Sequence, residues 1–265
     1  MPCSANDADD MTDVPDVPDV SVHTTADGSN TLYSSTYGQT FHSDKGALAE
    51  SRHVFIEGSK LPLRLSTQKR VRILEVGLGT GLNFVLSAQE ARLQDTQLEY
   101  YALEKTLLPR AVLEPLNYHV LLNDPDVWQQ FLAWRQGVNG VSAAEAVLGF
   151  DWHNVKFEVL LGDARARVLD LGHVVCAASH DPARDDYQLV DIVYHDAFSF
   201  DANSELWCEV FLQHLGSVLK PGGVLVTYSV KGLVRRRLAA VGFQVEKLPG
   251  PVGGKREMLL ATKLG

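Results

Sequence analysis

Between Val71 and Phe84 a short run of β-forming residues ends in an acid and three glycines, and apolar, helix-compatible residues follow at once. A strand that turns into a helix through glycines lets backbone come close to whatever lies above the turn. The glycine spacing restricts that ligand. A dinucleotide fingerprint, Gly-x-Gly-x-x-Gly, seats pyrophosphate on the helix N-terminus. Counted from Gly77, its last glycine falls on Leu82. The sequence instead reads Glu75-x-Gly77-x-Gly79-x-Gly81, with Asn83 two residues on. A carboxylate just ahead of the turn repels phosphate and suits a cationic, sugar-bearing ligand better. The competing reading is a glycine-rich turn that binds nothing.

The rest of the chain repeats the strand-then-helix rhythm. Val71–Val76 is a strand and Gly81–Arg92 its crossover helix. Further strands are expected at Leu98–Leu103, Val155–Leu161, Leu189–Tyr194, Gly223–Ser229, and near Gly242–Leu248 and Arg256–Lys263. This alternation predicts an α/β fold, a doubly wound parallel sheet of about seven strands with right-handed crossovers. A helical insertion is expected over about residues 107–150, and a polar loop over Gly172–Asp186. Ahead of the sheet, residues 28–70 form an extension that covers the site, with a hairpin near 31–43 and a helix from Lys45 to about Glu57. Residues 1–27 are acidic, repetitive and poor in aromatics, and read as a disordered tail without chemistry.

In an open α/β sheet, ligands bind beyond the carboxyl ends of the strands. Four acids stand there: Glu75, Glu104, Asp163 in Gly162-Asp163-Ala164, and Asp196 in His195-Asp196-Ala197-Phe198. One such acid is more often a turn or cap residue; four in register are harder to explain that way. The glycine pattern resembles motif I of class I S-adenosylmethionine methyltransferases, whose Rossmann-like sheet ends in an antiparallel strand. The resemblance implies that Gly77, Gly79, Gly81, Asn83, Gly162, Asp163 and Ala164 surround S-adenosylmethionine. It further implies that Glu104 accepts both ribose hydroxyls, that Asp163 takes the adenine amino group, and that Glu75 faces the methionine end directly or through water. Asp196 occupies the place where amino-directed methyltransferases carry an acid or amide followed by an aromatic. There a carboxylate orients an amine and receives its proton, while Phe198, and more weakly Phe200, stacks on a base.

Four blocks narrow the resemblance to the methyltransferase domain of the MnmC family and its stand-alone relatives, called MnmD. They are Tyr37–Ser43 with Gly46–Phe55; Glu75–Asn83; Asp196–Ser199 with Asn203, Leu206 and Trp207; and Gly232–Arg236 with Gly254–Met258. In that family the substrate is the 5-aminomethyl group of a wobble (2-thio)uridine in tRNA, which becomes 5-methylaminomethyl. Bifunctional members carry a fused FAD domain that first removes a carboxymethyl group. None is expected within these 265 residues, so neither FAD nor a metal is expected, and a separate enzyme is expected to supply the aminomethyl substrate. Family members place prolines in the segment after the catalytic acid. Here Ser199–Trp207 has none, and a more mobile loop is expected.

Charge agrees with an RNA partner. Residues 1–27 carry −7, residues 28–219 carry −9 and residues 220–265 carry +7, so the net −9 conceals a basic end. Such asymmetry points to a polyanion-binding face, although a merely solvated basic surface is the plainer alternative. On the family reading, Lys231, Arg235, Arg236, Lys255 and Arg256 hold phosphates of the anticodon stem-loop, and Glu50 contacts the substrate. Cys3, Cys176 and Cys208 match no metal or disulfide spacing. No apolar run approaches the ~20 residues of a membrane span, and no export signal opens the chain, so a cytoplasmic address is expected. Two alternatives remain open: a methyltransferase or aminopropyl transferase for a small amine, and an inactive RNA-binding scaffold.

Overall fold

The computed structural model describes residues 19–138, 146–177 and 190–265. It opens with β1 (Val20–Thr24), β2 (Asn30–Ser34) and β3 (Gln39–Thr40), a small antiparallel sheet in that order. α1 (Ala47–Ser51) runs on as a π-helical turn over Arg52–Glu57, and α2 (Leu61–Thr67) leads to the main sheet. There follow β4 (Arg70–Val76), α3 (Leu82–Leu93), β5 (Gln97–Glu104), α4 (Arg110–Leu113), α5 (Pro125–Gly137), β6 (Val147–Trp152) and β7 (Val155–Leu161). The chain closes with α6 (Ala164–Ala177), β8 (Val190–His195), α7 (Glu209–Val218), β9 (Leu219–Thr227), α8 (Gly232–Ala240), β10 (Phe243–Pro249) and β11 (Glu257–Lys263).

The main sheet has eight strands in the order β10-β11-β9-β8-β4-β5-β7-β6. Its middle, β9-β8-β4-β5-β7, is parallel, while β11 runs antiparallel to both neighbours and β6 antiparallel to β7. Val71, Ile73, Leu74 and Val76 of β4 are all buried, as expected for a strand covered on both faces. One face carries a core around Phe84, Tyr100, Trp128 and Phe157; the other packs Trp207, Phe211 and Leu215. The order of connection reverses between β4 and β8, so the glycine turn and Asp196 emerge side by side at the switch point.

Four expectations change. The expected tail, residues 1–27, becomes structured from Val20 on, since β1 pairs with β2 along its whole length; residues 1–18 lie outside the described residues. Asp27 is not a solvated charge but a clamp, accepting the N–H groups of Ser29 and Ala49 at 3.0 Å each. The expected helical insertion ends in a strand, β6, whose Leu148, Phe150 and Trp152 pack on the core. That alternation is only three pairs long and was easily lost beside the helix. Gly149 permits it, because a Cβ there would meet the Phe157 carbonyl oxygen at 2.1 Å. The expected loop from Gly172 begins as helix, α6 reaching Ala177; residues 139–145 and 178–189 lie outside the described residues. The strand expected from Gly223 begins earlier, at Leu219, so that Pro221 and Gly222 fall inside β9, where the ladder to β8 shifts register between Val190 and Ile192.

Candidate active site

The turn after β4 is built from backbone that only glycine adopts readily. Gly77, Gly79 and Gly81 have φ of 87°, 53° and 78°. A Cβ on Gly77 would come within 3.1 Å of the Asp196 carbonyl oxygen, and one on Gly79 within 3.0 Å of the Phe41 ring. The turn thus forms the floor of a cavity of about 780 Å³, lined also by Glu104, Gly162, Asp163, Ala164, Asp196 and Phe198. That is ample for a nucleoside bearing an amino-acid side arm.

Along the rim, Glu104 accepts the N–H of Gly79 at 3.1 Å through Oε2 and that of Thr106 at 3.0 Å through Oε1. Burial raises its pKa. A carboxylate has about four acceptor sites, so these two bonds fix its orientation and leave lone pairs for a diol. Asp163 is exposed, and hydrogen bonds from the Arg165 side chain hold its pKa below the usual value. It also accepts the Arg165 N–H at 2.9 Å, in the first turn of α6. The turn residue and the rim acid expected from the sequence are here the same side chain.

Below the cavity lies a second group of acids. Asn83 Nδ2 donates to Glu75 Oε1 and to Asp196 Oδ2, both at 2.8 Å, and Tyr100 donates its hydroxyl to Glu75 Oε2 at 2.8 Å. Glu75 is completely buried; burial first, and the charge of Glu104 in addition, push its pKa up to about 8. Asp196 reaches the cavity, and its pKa stands well above the carboxylate range through burial and then the charges of Glu75 and Glu50. Glu50, on α1, accepts the Ser43 N–H at 2.7 Å and is also raised by burial. Neither Glu75 nor Asn83, both expected at the ligand, lines the cavity; Asn83 links Glu75 to Asp196, which does. The Asn83 Oδ1 atom is buried and has no partner among the described residues.

The roof over Asp196 is aromatic. Tyr37, from the turn between β2 and β3, stacks on Phe198 with ring centres 4.3 Å apart, and Phe41 meets Phe198 edge-on at 5.1 Å. All three line the cavity. Gln39 Nε2 donates to Ser199 Oγ at 2.9 Å, tying the hairpin to the segment after Asp196. That segment is held without prolines: Trp207 donates its indole N–H to the Phe198 carbonyl at 3.1 Å, and Tyr228 donates its hydroxyl to that of Ala197 at 2.8 Å. His195, fully buried and kept neutral with its pKa down near 4, bonds the Leu206 carbonyl at 2.8 Å.

The basic residues divide. Lys255 places its ammonium 3.9 Å over the Tyr228 ring, beside the acids; burial lowers its pKa while Glu50 and Asp196 oppose that. Lys231 pairs with Asp201 at 2.6 Å, one residue from Ala202 in the cavity lining, so α8 begins at the cavity mouth. All five expected basic residues, Lys231, Arg235, Arg236, Lys255 and Arg256, are exposed, and only Lys255 and Lys231 are placed near the cavity by their partners. Phe200 lies under Lys231 and Arg237 rather than beside Phe198. Sequence reasoning did not single out Tyr37, Tyr100 or Tyr228 as functional. Tyr228 directly follows β9, so the strand-end rule that found the acids would have found it; nothing local marks Tyr100.

The cavity has the chemistry for a positively charged adenosine derivative: glycine backbone close by, and the carboxylates of Glu104, Asp163 and Asp196 in its lining. A family model described as S-adenosyl-L-methionine-dependent methyltransferase matches residues 125–264, just over half the chain. The chain is 34% identical over 239 residues to the tRNA 5-methylaminomethyl-2-thiouridine biosynthesis bifunctional protein MnmC of Cupriavidus metallidurans, covering 87% of this chain and 32% of that protein. It is 33% identical over 238 residues to the protein of the same name from Ralstonia nicotianae, covering 88% of this chain and 33% of that one. It spans about a third of the length of the curated relatives it matches. The crystal structure of MNMC2 from Aquifex aeolicus superposes with a TM-score of 0.68 at 28% identity, over 93% of this chain and 71% of that one. With the Rossmann-like sheet, the glycine turn and the family match in agreement, this chain belongs to the S-adenosyl-L-methionine-dependent methyltransferases.

Proposed function

We propose that this chain methylates the 5-aminomethyl group of a wobble (2-thio)uridine in tRNA, giving 5-methylaminomethyl-(2-thio)uridine. The observation that carries this reading is an aromatic cluster and an acid lining one cavity: Tyr37, Phe41 and Phe198 with Asp196. A flat base stacked on the cavity side of this cluster would bring an amine on its edge toward the carboxylate. The relatives named for this modification support the same choice.

S-adenosylmethionine supplies an electrophilic methyl group on a sulfonium. Gly77 and Gly79 give it a close backbone floor, with Gly162 and Ala164 at the side, while Gly81, expected beside them, packs against Phe131. Glu104 offers the lone pairs left by Gly79 and Thr106 to the ribose, Asp163 faces the adenine, and Asn83 holds Asp196 in place from behind the cavity wall. Asp196 holds the acceptor amine, takes its proton and aims the freed lone pair; alignment at near-attack distance provides most of the acceleration. Glu50 and Lys255 set the charge around Asp196. Lys231, Arg235, Arg236 and Arg256 hold backbone phosphates while the base is splayed into the cavity. The aminomethyl group arrives already built, by another active site, and the reaction takes place in the cytoplasm with the tRNA pool.

The test is transfer of labelled methyl to tRNA carrying 5-aminomethyluridine, to unmodified tRNA and to free alkylamines. Label confined to the aminomethyl tRNA is expected. Label on free amines alone would transfer the assignment to a small-molecule methyltransferase, and label on none would leave the scaffold reading.

A further inference from the structure

Glu75 belongs to the glycine motif, yet its position is not that of a donor contact. Its carboxylate is fully buried, and both oxygens are taken, one by Asn83 and one by Tyr100. The bond that matters is the other one made by the same Asn83 nitrogen, to Asp196. A single amide NH₂ thus bridges two carboxylates carried at the ends of neighbouring parallel strands, β4 and β8. Two acids brought this close do not ionise independently: the proton that comes off first belongs to the pair.

We propose that Glu75 is a positioning residue for methyl transfer, sharing one proton with Asp196 across Asn83 and so setting the pH at which Asp196 receives the amine's proton. This rests on the reading of the acceptor as an amine. The other groups facing the pair fit the assignment. Glu50 from α1 adds negative charge, and the Tyr100, Tyr194 and Tyr228 hydroxyls stay protonated through burial. Glu104 acts on Glu75 from the rim, and Lys255 is the cation acting on Asp196 and Glu50. Burial raises both members of the pair, so the pair keeps a proton more readily than two separate solvated carboxylates would. The balance of the step is simple. The alkyl ammonium gives one proton to Asp196; the freed nitrogen lone pair bonds the methyl carbon as the carbon–sulfur bond breaks, and sulfur keeps that pair of electrons. The nitrogen leaves as a secondary ammonium, and the proton on the acid pair passes to solvent before the next turnover.

The deciding variant is Glu75→Gln, which keeps the shape and removes the charge. Wild type is expected to show a broad, two-step acid limb in kcat/KM on aminomethyl tRNA. In Glu75→Gln the limb becomes one step and moves to lower pH by about one unit or more, the scale of coupling that makes two sites titrate jointly. Affinity for S-adenosylhomocysteine, read by calorimetry, stays as in wild type. Tyr100→Phe, which removes a hydrogen bond favouring ionised Glu75, moves the limb the same way by less. Infrared titration of the carboxyl band gives a readout free of turnover: two steps in wild type, one in Glu75→Gln or Asp196→Asn. A fall in S-adenosylhomocysteine affinity in Glu75→Gln with the limb unmoved would make Glu75 a donor contact and overturn the proposal. An infrared titration of the same shape in all three proteins would overturn it as well. Should wild type methylate no amine at all, the amine reading falls, and the infrared titration alone decides whether the proton is shared.

Discussion

The two halves of the cavity are made in different ways. The donor side is a rim: glycine backbone at the β4–α3 turn, Glu104 anchored by the N–H groups of Gly79 and Thr106, and Asp163 at the head of α6. Each part lies within a few residues of a strand end. The acceptor side is a well: Glu75, Asn83, Asp196 and Glu50 below, Tyr37, Phe41 and Phe198 above. Its members come from the N-terminal hairpin, α1, β4, α3 and the segment after β8. The rim uses backbone and lone pairs, and so recognises a common ligand with little dependence on neighbouring side chains. The well uses crowded acids whose protonation depends on one another, which is what a proton-releasing reaction needs.

This contrast predicts that damage to the well lowers turnover and spares donor affinity, whereas damage to the rim does the reverse. The largest effect is expected for Asp196→Asn, which keeps the Asn83 contact but cannot accept a proton; transfer should fall about 10²- to 10⁴-fold. Calorimetry with S-adenosylhomocysteine should change little, and a parallel loss of binding would erase the division. Next, Glu104→Gln removes a charge that two backbone N–H groups and the ligand diol all use. Hydrogen bonds to charged groups are worth ~1.5–3 kcal/mol, so S-adenosylhomocysteine should bind roughly 10- to 100-fold more weakly, while the acid limb moves to lower pH by less than in Glu75→Gln because one charge acting on Glu75 is gone.

Smaller effects test the roof and the approach. Tyr37→Ala leaves Phe198 with one free face. Stacking of a base on an aromatic contributes ~1–3 kcal/mol, so KM for aminomethyl tRNA should rise about tenfold while kcat and donor affinity hold. If kcat falls instead, Tyr37 orders the site rather than the base. The smallest change is expected for Arg235→Ala and Arg236→Ala, each reducing the salt slope of tRNA binding by about 1 if it holds a phosphate. A slope that stays the same would return α8 to an ordinary solvated surface.

The rim was legible in the sequence because its determinants are local. Three glycines in alternation, preceded by an acid and a β-forming run, specify a turn whichever protein surrounds it, and Glu104 and Asp163 announce themselves as acids ending expected strands, as Asp196 does for the well. The parallel order followed from the alternation alone. The errors fell where short range fails. β1 was hidden by the acidic composition around it, since Asp27 looked like solvated charge until its two clamped N–H groups appeared. β6 is a three-pair alternation beside a helix, stabilised by pairing with β7 that only the folded chain supplies.

What the residues in order determined, then, was the doubly wound sheet and the places where acids would stand. What folding decided was which of those acids meet. Glu75 and Asp196 are separated by most of the sheet's length in sequence, but β4 and β8 lie side by side, and one asparagine from the following helix reaches both. Strand order sets that proximity, and burial then makes the two charges respond to each other, a coupling that falls steeply with distance and with water between them.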